Sequence, residues 1–345
     1  NLFEPVSSNA KIKFSIIVPA RNEEANIARL LTALQQQNYP KENYEVIVIN
    51  DNSTDNTAGV VSGFSFVKLL HLPASVRSAH KKKAIELGIV NATNDWIVTT
   101  DADCLPQADW LATIAAFQKN KNAVFIAAPV ALTAPQNSNT LLYNFQCVDF
   151  CVLQGITGAS VHRNFHTMCN GANLAYKKSA YEEVHGFAGI ANIASGDDML
   201  LMYKIWKKYP QQVFYLKSKQ AIVETAAMNS WKNFFQQRIR WASKARHYDD
   251  KRIFTALLVV YLFNFLFPVL LFAAFWFNHA WWLLLLLWLA KTIIEFPFAY
   301  SVTRFFNRQK FMWLFIFFQP LHILYIIASG FFGLFSYEWK GRKVK

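Results

Sequence analysis

Glycine-rich phosphate loops are missing from this chain: its 12 glycines form neither G-x-G-x-x-G nor G-x-x-x-x-G-K-[ST]. A Rossmann dinucleotide site and a P-loop are both disfavoured. Cysteine is scarce, and Cys104, Cys147, Cys151 and Cys169 make no C-x-x-C pair and no framework of paired loops. Cys147 and Cys151 lie four apart, on one face if the segment is helical, but no histidine stands near to complete a zinc site. Buried reduced thiols, and a reducing cytosol around the globular part, are the expectation. Acidic residues are few, 22 against 35 Lys and Arg, for a net charge of +13. Charge is also missing from two long stretches: Ile253–Ala290 and Phe311–Tyr337 contain no Asp, Glu, Lys or Arg. A bilayer core takes about 20 apolar residues per helix, and 53% hydrophobic content in 345 residues is too much for a wholly soluble chain. Part of it belongs in lipid.

These deficits divide the chain. Residues 1–228 read as a globular domain in which short hydrophobic runs alternate with turn signals, and 229–252 as an amphipathic interfacial segment. Residues 253–345 read as a membrane region of about three hydrophobic segments, at roughly Ile253–Phe277, Trp281–Val302 and Phe311–Tyr337. Basic residues (Arg238, Arg240, Lys244, Arg246, Lys251, Arg252) gather beside the first segment, which points to anionic headgroups and a phosphorylated substrate rather than nucleic acid. Three spans from a cytosolic domain would leave the C-terminus outside, whereas Lys340, Arg342, Lys343 and Lys345, with Arg304, Arg308 and Lys310, argue for inside. One segment is therefore expected to be interfacial or re-entrant. The middle one is the weakest span, because Lys291 and Glu295 lie four apart in it, placed to pair on a helix. No signal-peptide pattern is visible and the chain opens at Asn1 without methionine, so removal of something upstream, a further membrane segment included, is expected.

Phe14 to Val18 is a short apolar run closed by Pro19. After Asn22-Glu23-Glu24 come Ile27, Leu30, Leu31 and Leu34 at helical spacing, so the order is strand, turn, helix. Tyr44–Ile49 repeats the strand, closed by Asn50-Asp51-Asn52-Ser53, with Ser53 or Thr54 available to cap a helix toward Val61. A third strand over Val67–Leu70 precedes a basic helix from about Arg77 to Val90. A fourth covers Trp96–Thr100 and ends at Asp101, and Val124–Ala128 reads as a fifth. Strands alternating with helices at this spacing predict an α/β fold with a mostly parallel sheet and right-handed crossovers, all strands pointing one way. Ala20 to Glu23, Asp51 and Asp101 then fall along the carboxyl edge, where open α/β sheets bind ligands.

Three carboxylate clusters stand out. Asp101-Ala102-Asp103 sets two carboxylates two residues apart at a strand end, a donor pair suited to Mg²⁺ or Mn²⁺ with water and phosphate completing the shell; without a phosphate loop, a metal is the natural neutraliser of a diphosphate. An N-cap before Pro106 is the competing reading. Asp51 stands where a nucleobase would lie and offers an acceptor to the imide N–H of uracil, although an Asx turn explains it too. Asp197 and Asp198 precede a helical run over Met199–Tyr209, either as caps or with one of them as a general base, a role worth about 10²–10⁴-fold in rate. In Gln237-Arg238-Ile239-Arg240-Trp241, Arg238 and Arg240 offer forked donors for phosphate, and Trp241 a flat face for a sugar. A basic amphipathic helix on the bilayer, Trp231–Tyr248, is compatible with that role.

Taken in order, these motifs resemble the inverting family 2 glycosyltransferases of GT-A fold, in their membrane-attached branch with D, DxD, D and QxxRW motifs. The residues are Ser15-Ile-Ile-Val-Pro-Ala-Arg-Asn-Glu-Glu24, Asn50-Asp-Asn-Ser-Thr-Asp55, Asp101-Ala-Asp103, Asp197-Asp198 and Gln237-Arg-Ile-Arg-Trp241, and the likeness covers nearly all of 13–250. The resemblance implies a GT-A-like sheet flanked by helices, followed by transmembrane or interfacial helices. It implies that Pro19, Ala20, Arg21 and Glu23 hold the nucleoside, that Asp51 meets uracil, and that Asp101 and Asp103 take the metal and diphosphate, Asp103 as the direct ligand. Asp198 matches the base, and Asp197 stands where many members have Glu. Gln237, Arg240 and Trp241 match the acceptor and diphosphate end. Lys81, in a variant of a Gly-Lys-x-x-Ala-Leu stretch with His80 for Gly, either holds the donor or is a solvated face. Asn170-Gly171-Ala172-Asn173 resembles a loop near the acceptor.

The expected reaction is single displacement at the anomeric carbon of a nucleotide sugar, UDP-linked, with Asp198 as base and Mg²⁺ or Mn²⁺ and Arg240 at the departing diphosphate. The expected acceptor is a membrane lipid or lipid-linked sugar, in a multi-pass protein whose catalytic domain faces the cytoplasm. A processive polysaccharide synthase is the alternative, although so short a tail leaves little material for a channel. A non-catalytic nucleotide-sugar sensor is disfavoured by the intact carboxylates, and a transporter by the few intramembrane charges.

Overall fold

In the computed structural model, residues 2–5, 12–74, 80–134, 140–165, 168–190, 196–243, 250–335, 337–339 and 342–344 are described. The expected helix start at Arg77, the end of the 231–248 segment, and Lys244, Arg246, Lys340 and Lys345 lie outside them. The chain divides into two compact units: residues 1–133 with 156–226, and residues 134–155 with 227–345.

Continuous apolar runs build the first unit, because a parallel strand covered on both faces has no polar side to alternate with. In chain order the elements are β1 (Phe14–Ala20), α1 (Ile27–Gln35), β2 (Tyr44–Asn50), α2 (Thr57–Ser62), β3 (Val67–His71), α3 (His80–Val90), β4 (Trp96–Thr99), β5 (Leu105–Pro106), α4 (Trp110–Lys121), β6 (Phe125–Ala127) and β7 (Val130–Thr133). There follow α5 (Leu141–His162), which begins in the second unit, then β8 (Leu174–Lys177), α6 (Lys178–Glu183), α7 (Asp197–Lys208), β9 (Val213–Tyr215) and β10 (Val223–Ala226). The main sheet has the order β3-β2-β1-β4-β8-β6-β9, with β5-β10-β7 as a small second sheet. Phe14, Ile16, Ile17 and Val18 of β1 and Val46 to Ile49 of β2 are fully buried. Ile27, Leu30, Leu31 and Leu34 form the buried face of α1, as their spacing predicts. Close packing of α3 on the sheet depends on Gly88, where a Cβ would sit 2.6 Å from Ile17 and 2.9 Å from Ile49.

One expectation fails. The strands do not all point one way: β8 runs antiparallel between β4 and β6. The sheet is mixed, and β1, β2, β3 and β4 remain its parallel half.

The second unit is helical. The first turns of α5 join α8 (Trp231–Ala242), α9 (Lys251–Ala273), α10 (Asn278–Phe305), a 3₁₀ turn at Gln309–Leu314 and α11 (Phe315–Phe332), and β11 (Tyr337–Trp339) pairs with β12 (Arg342–Val344). Three helical stretches, Lys251–Ala273, Asn278–Phe305 and Gln309–Phe332, are long and apolar enough to cross a membrane. Lys291 and Glu295 pair on α10 at 2.8 Å, as their spacing predicts. The amide of Gln319 on α11 joins them, its Oε1 accepting from Lys291 Nζ at 2.6 Å and its Nε2 donating to Glu295 at 2.9 Å.

Candidate active site

The loops at the carboxyl ends of β1 and β2 are held by asparagines that accept left-handed backbone, Asn22 at φ 53° and Asn52 at φ 52°. Arg21 ties the two loops together, donating from Nη1 to the carbonyl oxygens of Asp51 at 2.8 Å and Asn52 at 3.1 Å. Glu23 closes the turn: its N–H donates to Thr57 Oγ1 at 2.8 Å and its carboxylate accepts from Asn26 at 2.9 Å. Pro19 and Ala20 complete β1 beside Ile49 and Asn50. Asn50 braces its own turn, accepting from the N–H of Ser53 at 3.0 Å. Asp51 is buried, and its Oδ1 lies 3.1 Å from His80 Nδ1, so a histidine protonated at Nδ1 donates to it.

His80 opens α3, and the next residue reaches a second cluster. Lys81 Nζ lies 2.6 Å from Asp101 Oδ1 and 3.7 Å from Asp197 Oδ2. Burial works against its positive charge, but with the side chain still 37% exposed the carboxylates of Asp101, and then Asp197, outweigh it and raise its pKa above the ordinary lysine value. The neighbouring lysines differ in role: Lys82 is buried on the carbonyl of Ile190, and Lys83 pairs with Glu86 at the surface. On the loop after β4, Asp103 accepts from Thr225 Oγ1 of β10 at 3.2 Å. Burial, and after it Asp103 and Asp101, push the Cys104 thiol well above its usual range, so it stays protonated and the turn offers hard oxygen donors.

Gly196, at φ 83°, turns the chain into α7. Asp197 and Asp198 are the first two residues of that helix, where the dipole favours negative charge. Asp197 is buried against Lys81, whereas Asp198 is half-buried and accepts from the N–H of Gly171 at 3.2 Å and of Met199 at 2.8 Å. Gly171 marks the gap among these groups: a Cβ there would meet Asp197 Oδ2 at 3.3 Å and Lys81 Nζ at 3.4 Å. Asn173 below it is scaffold, donating to the carbonyls of Pro129 and Ala221, each at 2.8 Å, and accepting from Trp110 Nε1 at 2.9 Å.

Gly171 lies in the Asn170–Asn173 loop that the family resemblance points to, whereas Thr225 carries no local signal as a site residue. Apart from the stretch that the resemblance matches, Lys81 differs from Lys82 and Lys83 only by helical rotation.

The pentad belongs to α8 in the second unit. The expectation that Arg238 offers its fork to an acceptor phosphate meets a different placement. Its guanidinium is buried, pairs with Asp149 of α5 at 2.6 Å, and lies 4.3 Å from the ring of Trp241 and 4.7 Å from that of Phe234. A charge taken out of water must be paired, and Asp149 pairs it. Tyr325 of α11 donates to the other oxygen of Asp149 at 2.5 Å. One face of Trp241 is thereby spent on Arg238. Gln237 accepts from Arg238 at 3.2 Å, and Arg240 is half-buried.

The donor set at Asp101 and Asp103 fits a hard divalent cation only in part. Among the described residues no three His, Cys, Asp or Glu side chains gather to hold a metal. Two carboxylates on one turn suit an ion that takes the rest of its shell from water and phosphate.

Residues 15–185 match the family described as glycosyl transferase family 2. The chain is 27% identical over 237 residues to the probable glycosyltransferase YdaM of Bacillus subtilis, a match covering 67% of this chain and 54% of that protein. It is 30% identical over 194 residues to the dolichyl-phosphate beta-glucosyltransferase ALG5C of Trichomonas vaginalis, covering 52% and 56%. It thus spans about half the length of the curated relatives it matches. The mannosyltransferase PcManGT of Pyrobaculum calidifontis, solved with GDP-Man and Mn²⁺, shares the fold with a TM-score of 0.57 at 19% identity, over 93% of this chain and 89% of that one.

Proposed function

The chain belongs to glycosyl transferase family 2, and from that premise we propose that it transfers a sugar from a nucleotide sugar, UDP-linked, to a membrane lipid or lipid-linked acceptor, with inversion at the anomeric carbon. Asp198 carries the reading. It is the less buried of the two carboxylates at the N-terminus of α7, and the Gly171 N–H and the helix dipole favour its ionised form. An ionised carboxylate so held suits a general base.

In the proposed reaction the acceptor hydroxyl oxygen attacks the anomeric carbon and loses its proton to Asp198, while the bond from that carbon to the diphosphate oxygen breaks and the nucleoside diphosphate leaves with the electron pair. Pro19, Ala20, Arg21, Glu23 and Asp51 bind the nucleoside. Lys81, held by Asp101 and Asp197, supplies positive charge beside the leaving group. A divalent ion on Asp103 and Asp101, Mg²⁺ or Mn²⁺, would neutralise the diphosphate when bound. Gln237, Arg240 and Trp241 serve the acceptor and diphosphate end. Arg238 is dropped from that set, since Asp149 occupies it.

The three helical stretches long and apolar enough to cross a bilayer support a membrane enzyme, and the catalytic unit is assigned to the cytoplasmic side, where nucleotide sugars are made. A relative named for dolichyl phosphate supports a lipid-linked acceptor. The test incubates membranes containing the chain with labelled UDP- and GDP-sugars and Mn²⁺. Release of UDP with labelled lipid, lost in Asp198→Asn, is expected. No consumption of any nucleotide sugar by the membranes would overturn the reading, and a high-mass glycan product would move it to a processive synthase.

A further inference from the structure

Helix α11 meets the α9–α10 hairpin at nearly one level. At 1.5 Å per residue, Phe296 of α10 lies about 27 Å from the hairpin turn, and Lys291 and Glu295 about 20 to 26 Å. On α9, Tyr261 lies about 18 Å from that turn. Phe315 of α11 packs on Phe296, with ring centroids 5.8 Å apart, and Gln319 bonds Lys291 and Glu295. Gly330 abuts Tyr261, where a Cβ would come within 2.6 Å of its ring. From Phe315 to Gly330, α11 runs about 22 Å yet shifts by only about 9 Å along the hairpin, an inclination on the order of 65°. Membrane spans tilt by roughly 0–40°.

Its surroundings agree. α11 is packed at both ends by helices outside the hairpin: Phe311, just before it, meets Tyr143 of α5 with ring centroids 5.9 Å apart, and at the far end a Cβ on Gly333 would lie 3.0 Å from Ala242 of α8. Phe317, Leu324 and Phe331, seven apart, form one exposed stripe, while Gln319, Tyr325 and Ser329 are buried. Apolar outside and polar inside is the polarity of a helix whose outer solvent is lipid. α9, by contrast, exposes large apolar side chains all around, with only Ile253, Asn264 and Phe267 buried.

We propose that α11 is not a third span but an in-plane helix laid across the α9–α10 hairpin, with Trp313, Phe317, Leu324 and Phe331 immersed in the lipid of the catalytic-side leaflet. Only α9 and α10 cross. The weak span is thus the third hydrophobic segment and not, as the charge pair on α10 suggested, the middle one. The basic residues after α11, Arg342 and Lys343 among them, then return to the side of α8. α8 follows β10 by four residues, at most about 18 Å of extended chain, too little to cross a bilayer core of about 30 Å. Charge and geometry now agree on the inside location that three spans would have denied.

This placement rests on the membrane reading above, and the tests separate the two. Nitroxide labels on Phe317→Cys and Phe331→Cys, in full-length protein reconstituted into phosphatidylcholine–phosphatidylglycerol vesicles, are expected to report depths within about 9 Å of each other. A difference near 20 Å, the rise of 14 residues along a span, overturns it. A reporter fused after Lys345 is expected on the cytoplasmic side and one inserted after Phe277 on the other; both on the non-cytoplasmic side also overturns it. Full release of the chain by carbonate would instead overturn the membrane reading, and the placement with it.

Discussion

Lys81 sits between two carboxylates that would otherwise face one another without a countercharge, Asp101 and Asp197. Lys81→Met is expected to weaken donor binding and raise KM for the nucleotide sugar, measured in steady state. Its sign with pH follows from its raised pKa: the ion pair contributes fully below the ordinary lysine value and is lost only as pH rises through the higher folded value. Between pH 6 and 9 the variant should therefore lower the whole activity profile without moving its limbs. A moved limb would assign the titrating group there to Lys81. Asp198→Asn should lower kcat by about 10²–10⁴-fold with nucleotide affinity retained, read by turnover alongside calorimetric binding of UDP. The carboxylates were legible in the sequence because each follows an apolar run or opens a helix. Lys81 stood out only through the family resemblance, with a solvated face as the alternative: three adjacent lysines have one chemistry, and only the 100° step of a helix sends one to the site, one to the Ile190 carbonyl and one to solvent.

At the scale of elements, α3 and α8 each depend on a single close fit. Gly88 lets α3 approach β1 and β2, so Gly88→Ala should destabilise by about 1–3 kcal/mol through overpacking, measured by urea unfolding in detergent micelles. Arg238→Ala leaves the Asp149 carboxylate buried without its partner and is expected to lose about 3–5 kcal/mol, whereas the double variant Asp149→Leu with Arg238→Met should recover most of it. Equal losses in the single and double variants would remove the ion pair from the account. Parallel strands read directly as apolar runs, which is why the expected β1 to β4 match within two residues at either end. β8 escaped because Leu174-Ala-Tyr-Lys177 is short and gains its strand form from β4 and β6 on either side. The Arg238–Asp149 pair joins residues 89 apart, with no local pattern to announce it.

At the scale of the molecule, the hydrophobic tail was visible from composition, but the membership of residues 134–155 in the second unit was not, because their partners lie far along the chain. The whole chain is expected to stay in the membrane pellet after an alkaline carbonate wash, read by immunoblot. The Asp149 network has a consequence in time. Asp149 leaves the ribosome 89 residues before Arg238 and 176 residues before Tyr325. At roughly 5–20 residues per second, it waits about 10–35 s for its last partner. For about the first half of that interval, until Arg238 emerges, α5 holds a carboxylate that nothing yet neutralises. A chain cut short before α8 keeps that unmet charge permanently, giving quality-control proteases a built-in mark by which to tell an unfinished copy from a complete one.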